Sequence, residues 1–271
     1  MQLTNFVINR ISRGVMLHST TNELLWSLSQ IESPSLTVSS ESVDAVDALS
    51  SPIMSFDRAK SVEFSAQSSL LDLGLLAAQS GSSVVASDAS TIVKSPFFEE
   101  VTVPTGSDKE TTLKFTPSAS GAVAIPYIYR LKSDGTPIAK VPYASTSSAN
   151  AFSFSGATLS FHTTADAGER YLVIYEYDGD DTNEVVSVTN RADEFPKAGK
   201  FIMNVVGADV CDISTSYMGY LILPQAKLTS NFELTFTTEG KHPFTIKAMQ
   251  EYCSTDKALF QLIVPQGLSA A

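Results

Sequence analysis

The residue types that most often carry out catalysis are few and scattered in this chain. The three histidines, His18, His162 and His242, each lie near a predicted strand end or turn, where packing or solvated roles are typical. No GxSxG segment is present to expose a serine nucleophile. Gly-Lys pairs occur at 199–200 and 240–241, but neither is followed by the Ser or Thr of a phosphate-binding P-loop. These patterns predict no catalytic residue, no cofactor and no enzymatic activity.

Carboxylates are concentrated in the acidic turn 178–184, where hard oxygen ligands could attract calcium. An EF-hand loop that began at Asp178 would have Asn183 in place of its glycine, so this motif is not satisfied. A solvated turn is the favoured interpretation, and a calcium site of another geometry is the alternative. Glu99 and Glu100 are adjacent on a predicted strand and point to opposite faces, which excludes a paired-carboxylate mechanism. We therefore expect no metal site.

Composition bounds the possible partners. The chain of 271 residues is 43% apolar and 17% charged, with a formal net charge of −11. No cluster of Lys and Arg occurs, so stable binding to nucleic acid or to an anionic membrane is not expected. No secretory signal and no apolar run of roughly 20 residues is evident, which predicts cytoplasmic synthesis without membrane insertion. For Cys211 and Cys253, two free thiols are favoured over one disulfide.

Period-two alternation of apolar and polar residues predicts an all-β protein. The segments 14–19 and 24–29 flank a polar turn and predict a hairpin. Val62, Phe64 and Ala66 share one face of a strand at 61–66. A second hairpin is predicted from 232–237 and 244–248, with apolar residues on one face of both arms. The continuous apolar run from Tyr171 to Tyr175 predicts a strand that is covered on both faces.

One segment has the pattern of a helix. Leucines and alanines dominate 70–79, after a possible cap at Ser68-Ser69 and before a natural stop at Gly81. The predicted helix is apolar around most of its circumference, so it should be buried on more than one side. Either a second subunit or the rest of the same chain could cover the outer side. The candidate inter-subunit residues are Leu70, Leu73, Leu76 and Ala77.

The middle of the chain has its own series of seven short predicted strands, a spacing typical of an immunoglobulin-like module. We expect an inserted immunoglobulin-like β domain at 96–184. The parent β domain would consist of 1–95 and 185–271. Within the first part, the Ser-rich segment 37–51 is predicted to be a loop, and it carries Glu41, Asp44 and Asp47.

The two ends of the chain, a little over half of its length, carry a recognisable pattern. It includes GVML at 14–17, FDRAK at 56–60, KAGK at 197–200, LPQAKL at 223–228 and HPF at 242–244. These stretches resemble the major tail tube proteins of tailed bacteriophages. The resemblance implies a β-sandwich or partial barrel with one flanking helix, which forms hexameric rings that stack into a hollow tube.

The same resemblance implies partners and a location. The tube would assemble around a tape-measure protein in the host cytoplasm, become part of the virion tail and later conduct DNA, which is only passing cargo. A tail terminator and, in contractile tails, a sheath are further implied partners. In this family a long hairpin loop usually orders when rings stack. The segment 37–51 occupies the matching place, which makes Glu41, Asp44 and Asp47 the candidate inter-ring residues.

Two other functions are compatible with the strand pattern. A capsid decoration or fibre-associated protein could be built on the same immunoglobulin-like strands. A carbohydrate-binding module would need exposed aromatic residues on a concave face. The candidates for that role are Tyr127, Tyr129, Tyr143 and Tyr171, although aromatic residues in strands more often belong to the core.

Overall fold

The protein is described here by a computed structural model covering residues 6–118, 123–210, 212–238, 240–251 and 255–265. Strands account for 54% of it and helix for 3%, which confirms an all-β protein with a helix. Contacts divide the described residues into two units. Unit 1 contains both ends of the chain, up to Val84 and from Val188, and unit 2 is the central Val85–Ser187. The insertion predicted at 96–184 falls inside unit 2.

The elements follow in chain order. They are β1 (Phe6–His18), β2 (Leu24–Leu28), β3 (Glu32–Val46), β4 (Pro52–Ser68), α1 (Leu73–Ser80), β5 (Val84–Ala86), β6 (Val93–Thr102), β7 (Glu110–Thr112), β8 (Tyr127–Leu131), β9 (Pro137–Pro142), β10 (Ser153–Ser155), β11 (Thr158–Ser160), β12 (Arg170–Gly179), β13 (Val186–Val188), β14 (Ala198–Asp209), β15 (Asp212–Leu228), β16 (His242–Ala248) and β17 (Gln261–Ile263). The short strands β5 and β13 pair with each other.

Unit 1 is built on one sheet with the strand order β2-β1-β14-β15-β16-β4-β3, and β17 pairs with β15. The predicted hairpin around residues 20–23 is confirmed as β1 and β2, with Met16 opposite Trp26. The predicted face of β4 is also confirmed, because Val62, Phe64 and Ala66 are all buried. The path along the sheet ends at β2 on one side and at β3 on the other.

Aromatic rings hold the core of unit 1 together. Trp26, the only tryptophan of the chain, packs against Phe201 and Phe244, and Phe64 packs against the same two rings. The ring centroids of these pairs are 5.2 to 6.2 Å apart, within the range of favourable aromatic contacts. These four residues come from β2, β4, β14 and β16, so the cluster ties distant segments of the chain to one sheet.

The helix α1 begins later than predicted. Asp72, not Ser68-Ser69, is its N-cap and accepts a hydrogen bond from the Leu75 backbone N–H at 2.8 Å. A carboxylate satisfies an orphan N–H better than the apolar residues before it could. The predicted stop is confirmed, because Gly81 has a φ of 76° that favours glycine.

The predicted hairpin at 232–248 is wrong in its first arm. The strand β16 is confirmed, with Phe244 and Ile246 buried, but residues 231–237 form no strand and Phe236 is 84% exposed. Both edges of β16 have other partners, since it pairs with β4 from His242 to Lys247 and with β15 from Ile246 to Ala248. Distant strands therefore replace the local partner that the alternation suggested.

Unit 2 has a four-stranded sheet, β6-β12-β8-β9, and a three-stranded sheet, β10-β11-β7, that contribute to one core. Each of the seven strands predicted in the centre of the chain has a counterpart among these elements. The prediction that 171–175 is covered on both faces is wrong. Tyr171, Val173 and Tyr175 are buried, whereas Ile174 is 38% exposed opposite Phe98. This strand therefore has one packed face and one open face.

Cys211 and Cys253 lie outside the described residues, so their predicted free state stays a prediction. In the described part of the chain, none of the helices reaches the length and apolar character that crossing a bilayer requires.

Candidate assembly surfaces

The strands β3 and β4 form one long hairpin whose register changes near its middle. Ser40 is opposite Lys60 and Glu41 is opposite Arg58, so Ala59 is an extra residue on β4. Its φ of 41° is unusual for a residue with a side chain. A bulge shifts the alternation of its strand by one residue. In β4, the even-numbered residues after the bulge therefore face the core, whereas the even-numbered residues before the bulge lie on the opposite face of the ribbon.

We call residues 41–58 the tip of the hairpin and the remainder of β3 and β4 its base. In the tip, Val43 is opposite Phe56 and Ala45 is opposite Met54, whereas Ser42 is opposite Asp57 and Asp44 is opposite Ser55. One face of the ribbon is therefore apolar and the other is polar. Every residue from 37 to 61 is exposed, and Val43, Met54 and Phe56 are 44%, 56% and 51% accessible. The tip presents an apolar face that its own subunit leaves open.

The prediction that 37–51 is a loop is wrong, because strands fill all of it except the turn at its end. Alternation at Val43 and Ala45 and again at Met54 and Phe56 is the sequence signal for these strands. The abundance of serine in 37–51 obscured it. The apolar residues of the tip were therefore missed as candidates, although the neighbouring acidic residues were selected.

The turn at the end of the tip is closed by Asp47. Its Oδ1 accepts hydrogen bonds from the backbone N–H groups of Leu49 and Ser51, at 2.8 and 2.9 Å. The three predicted inter-ring residues therefore have different environments. Asp47 holds the turn, Asp44 lies on the polar face, and Glu41 is opposite Arg58 on the apolar side of the ribbon.

A second apolar surface surrounds the start of α1, and we call it the helix-start patch: Leu70, Leu71, Leu73 and Phe236. These side chains are 40 to 84% exposed, and a cavity of about 260 Å³ lies between the Leu70-Leu71 segment and the loop of Phe236. Of the predicted inter-subunit residues, Leu70 and Leu73 belong to this open surface. Leu76 is half-buried, and Ala77 is buried within its own subunit.

A groove of about 370 Å³ runs between α1 and β2, the strand that ends the sheet. Trp26, Ala77, Ala78 and Leu228 contribute apolar wall, and Lys197 also lines it. Apolar grooves mark interaction or ligand-binding sites.

The histidines that were considered for catalysis have local structural roles. His18 Nδ1 accepts hydrogen bonds from the backbone N–H groups of Thr20 and Thr21, both at 3.3 Å, in the turn between β1 and β2. His242 is buried, and its Nε2 lies 2.7 Å from Gln79 Oε1 of α1. Burial lowers the pKa of His242, and the carboxylate of Asp72 opposes this shift.

The acidic turn has a similar explanation. Backbone N–H groups of Asn183 and Thr182 donate to Asp180 Oδ1 and hold the pKa of Asp180 below its usual range. Among the described residues, no group of three or more His, Cys, Asp or Glu side chains is placed to hold a metal. Of the tyrosines considered for carbohydrate binding, Tyr171 is fully buried and Tyr127 lies beneath the Lys140 ammonium, 4.8 Å from its ring centroid.

Comparison of the chain with models of protein families supports a role in assembly. A family model described as the YomU/Tube protein family matches residues 6–262. The chain belongs to this family. Since the match extends through both units, it covers the central insertion as well as the two ends that carry the resemblance to tail tube proteins. That resemblance is confirmed at the level of the family. No curated protein matches the chain.

Membership in the YomU/Tube family makes this chain a structural component of a phage tail that assembles with itself into a tube. The geometry offers two sets of residues for that assembly, the apolar face of the tip and the helix-start patch. Only Leu70 and Leu73 of these were selected from the sequence. Leu71 and Phe236 were missed as surface residues, because the strand and helix patterns predicted their burial.

Proposed function

We propose that six copies of this chain form a ring, and that rings stack through the hairpin tips into a tail tube that conducts DNA during ejection. The observation that carries the proposal is the exposed apolar face of the tip. An isolated two-stranded ribbon is at best marginally stable in water, and an exposed flat edge invites pairing with another chain. A neighbouring copy that covers this face stabilises the ribbon, and one that also pairs with its edge removes the second difficulty.

Burial of the apolar tip face contributes a favourable free energy to assembly. Full burial of a Val, Met or Phe side chain contributes about 1.5–3 kcal/mol. Because Val43, Met54 and Phe56 are roughly half-exposed, their remaining burial amounts to about 1 kcal/mol each, or about 3 kcal/mol per tip. Six tips in one ring junction supply about 18 kcal/mol before the cost of association.

Lateral contacts within a ring use the helix-start patch and the two ends of the sheet. Leu70, Leu73 and half-buried Leu76 meet the adjacent subunit, whereas Ala77 contributes packing inside its own. Joining the β2 edge or β3 edge of one copy to a neighbour extends the sheet around the ring and removes exposed strand edges.

The acidic character of the chain suits a channel for DNA. A formal net charge of −11 repels phosphates, so DNA slides as cargo and is not bound. The tube forms around a tape-measure protein in the host cytoplasm, ends at a tail terminator and, in a contractile tail, is surrounded by a sheath. The chain has no enzymatic role in this assembly.

Electron microscopy and sedimentation of the purified full chain test this function. The expected result is rings or hollow filaments whose amount rises with protein concentration. Dispersed single particles at every concentration and salt condition would remove the proposal.

Reversing the charge of Glu41 and Asp44 tests their part in ring stacking and DNA passage. We expect altered filament length or reduced ejection. Asp47 is left unchanged, because its replacement would also remove the two hydrogen bonds that close the turn. Normal filaments and normal ejection by the double variant would remove the assignment of these two residues.

A further inference from the structure

A pocket of about 430 Å³ opens in unit 2 beside β9, the last strand of the four-stranded sheet. The polar side chains in its wall include Arg130, Asn150, His162 and Thr164, and Lys140 also borders it. No carboxylate is among the described residues that line it. Although the chain has a net charge of −11, the charged side chains that line this pocket, Arg130 and Lys140, are both cations. Such a wall favours an acidic ligand.

The imidazole of His162 lies between two hydroxyl groups. Its Nε2 lies 2.8 Å from the Tyr171 hydroxyl and its Nδ1 lies 2.9 Å from Thr164 Oγ1. Each hydroxyl has a single proton, and both protons are directed elsewhere. Tyr171 donates to Glu169 Oε2 at 2.8 Å, and Thr164 donates to the Ala149 carbonyl oxygen at 2.6 Å.

Both hydroxyl oxygens are therefore left to accept a proton from the imidazole. A neutral ring has one N–H and can satisfy only one of them, whereas the doubly protonated ring satisfies both. The charge of the surroundings opposes that second proton. Burial lowers the pKa of His162, Lys109 and Arg130 lower it further, and Glu169 alone among these neighbours raises it.

The charged and titratable groups around His162 and the pocket are few. They are Glu169 and Asp166 before β12, Tyr171 on β12, Arg130 on β8, Lys109 before β7 and Lys140 on β9. The two carboxylates do not balance the three cations, so no negative charge remains to compensate an imidazolium. A ligand anion in the pocket would supply it.

We propose that this pocket binds an acidic group, a carboxylate or a phosphate, at Arg130 and Asn150, and that His162 takes up a proton from solvent as the ligand enters. The guanidinium is positioned for this role. Its Nη1 donates to Glu169 Oε1 at 2.9 Å while the side chain is 43% exposed. The salt bridge fixes the plane of the group, and the remaining N–H donors of guanidinium can bind an oxyanion. No covalent bond is made or broken.

Calorimetric titration of the full chain tests this site at low ionic strength and at pH 6 and pH 8. D-glucuronate and inorganic phosphate are the two anionic probes, and D-glucose is the neutral control. We expect at least one anion to bind, about tenfold more tightly at the lower pH, because the ring is protonated more readily there. Titrations in two cationic buffers of different ionisation enthalpy should show uptake of up to about one proton. The preferred probe distinguishes a carboxylate site from a phosphate site.

Three variants locate the effect. Arg130→Gln should weaken anion binding about tenfold, because a charge-assisted hydrogen bond is lost. His162→Gln should remove the proton uptake and the pH dependence. Asn150→Asp places a carboxylate at an exposed position of the pocket wall, so it should weaken binding without disturbing the core. The exposed Lys132→Gln is the matched control for loss of a positive charge and should change neither quantity.

Three results would overturn the proposal. The first is the absence of binding heat for both anions at millimolar concentration. The second is unchanged affinity in both Arg130→Gln and Asn150→Asp. The third is proton uptake that persists in His162→Gln. None of these measurements depends on ring formation. The proposed anion site and the proposed tube can therefore be refuted independently of each other.

Discussion

The base and the tip of the β3–β4 hairpin belong to the same pair of strands but use their apolar residues in opposite ways. In the base, Val62 and Phe64 are buried in the unit 1 core. In the tip, Val43, Met54 and Phe56 form an equally regular apolar face that stays open. The bulge at Ala59 separates the two regions by reversing which residues of β4 face which side. The base stabilises the subunit, and the tip is free to stabilise a contact between subunits.

We expect the largest change in stability from a substitution in the base. Phe64→Ala should lower the free energy of unfolding of unit 1 by about 3–5 kcal/mol, because it removes a fully buried ring and leaves a cavity. Denaturant unfolding followed by tryptophan fluorescence measures this directly, since Trp26 is the only tryptophan and lies in the same core. A loss below about 1 kcal/mol would show that the base is not a core.

A change in the tip should have the opposite profile. Replacing Met54 and Phe56 together by serine removes most of the apolar tip face, and we expect the concentration needed for filament formation to rise about 30-fold, equivalent to about 2 kcal/mol per copy. The free energy of unfolding by Trp26 fluorescence should change by less than about 0.5 kcal/mol, because both side chains are exposed in the subunit.

Ser42→Ala with Ser55→Ala, on the polar face of the same ribbon, is the matched control. This pair should leave assembly unchanged. Equal loss of assembly from both faces would show that the ribbon does not distinguish them.

Acid should destabilise unit 1 through His242, which lies on β16 opposite Ser68 at the end of the base. The pKa of His242 is lowered by burial, so below pH of about 6.5, where the unfolded chain binds a proton, the folded unit 1 does not. The contribution of this residue is therefore fully present above pH 6.5 and is lost as the pH falls toward the lower folded pKa. Its Nδ1 is buried without a partner in the described structure, so an added proton there would find no acceptor.

The measurement is the pH dependence of unit 1 stability, followed by Trp26 fluorescence in wild type and His242→Gln. The variant should show a flatter profile between pH 5 and about 7, even where its stability is lower overall. Identical slopes in the two proteins would assign the acid sensitivity to other groups.

The smallest effect is expected at the junction of the two regions. Ala59→Val places a β-branched side chain at a φ of 41° and should cost about 1 kcal/mol locally. Amide hydrogen exchange should then accelerate about fivefold in residues 41–58 and remain unchanged around Phe64. Ala59→Gly, which tolerates this conformation, is the control and should not accelerate exchange.

Several features followed from local sequence because a local cause decides them. Alternation fixed the buried face of Val62 and Phe64, and the turn at 20–23 joined neighbouring strands. Gly81 ended the helix through its own conformational freedom. Each of these features depends on residues within a few positions of one another.

Two predictions were wrong because strands distant in sequence paired with β16 and because a different residue capped the helix. Residues 232–237 alternate as a strand does, but β16 has its edges taken by β4 and β15. The helix starts at Asp72 because its carboxylate accepts a hydrogen bond from the Leu75 backbone N–H, whereas the Ser68 hydroxyl accepts one from Leu70, before the helix. The error at 37–51 had a local cause, because this segment pairs with the adjacent residues 52–61 in a hairpin and its many serines obscured the alternation.

The sequence by itself determined that this chain is all-β, acidic and without a catalytic motif, since composition and period-two alternation depend only on residue order. Tertiary structure alone decided which apolar residues remain open. Val43, Phe56, Leu70 and Phe236 are as apolar as the core residues, and burial depends on which strands lie over them. Strand pairing, together with one extra residue at Ala59, therefore separates the core of this subunit from the exposed apolar face that we propose for assembly.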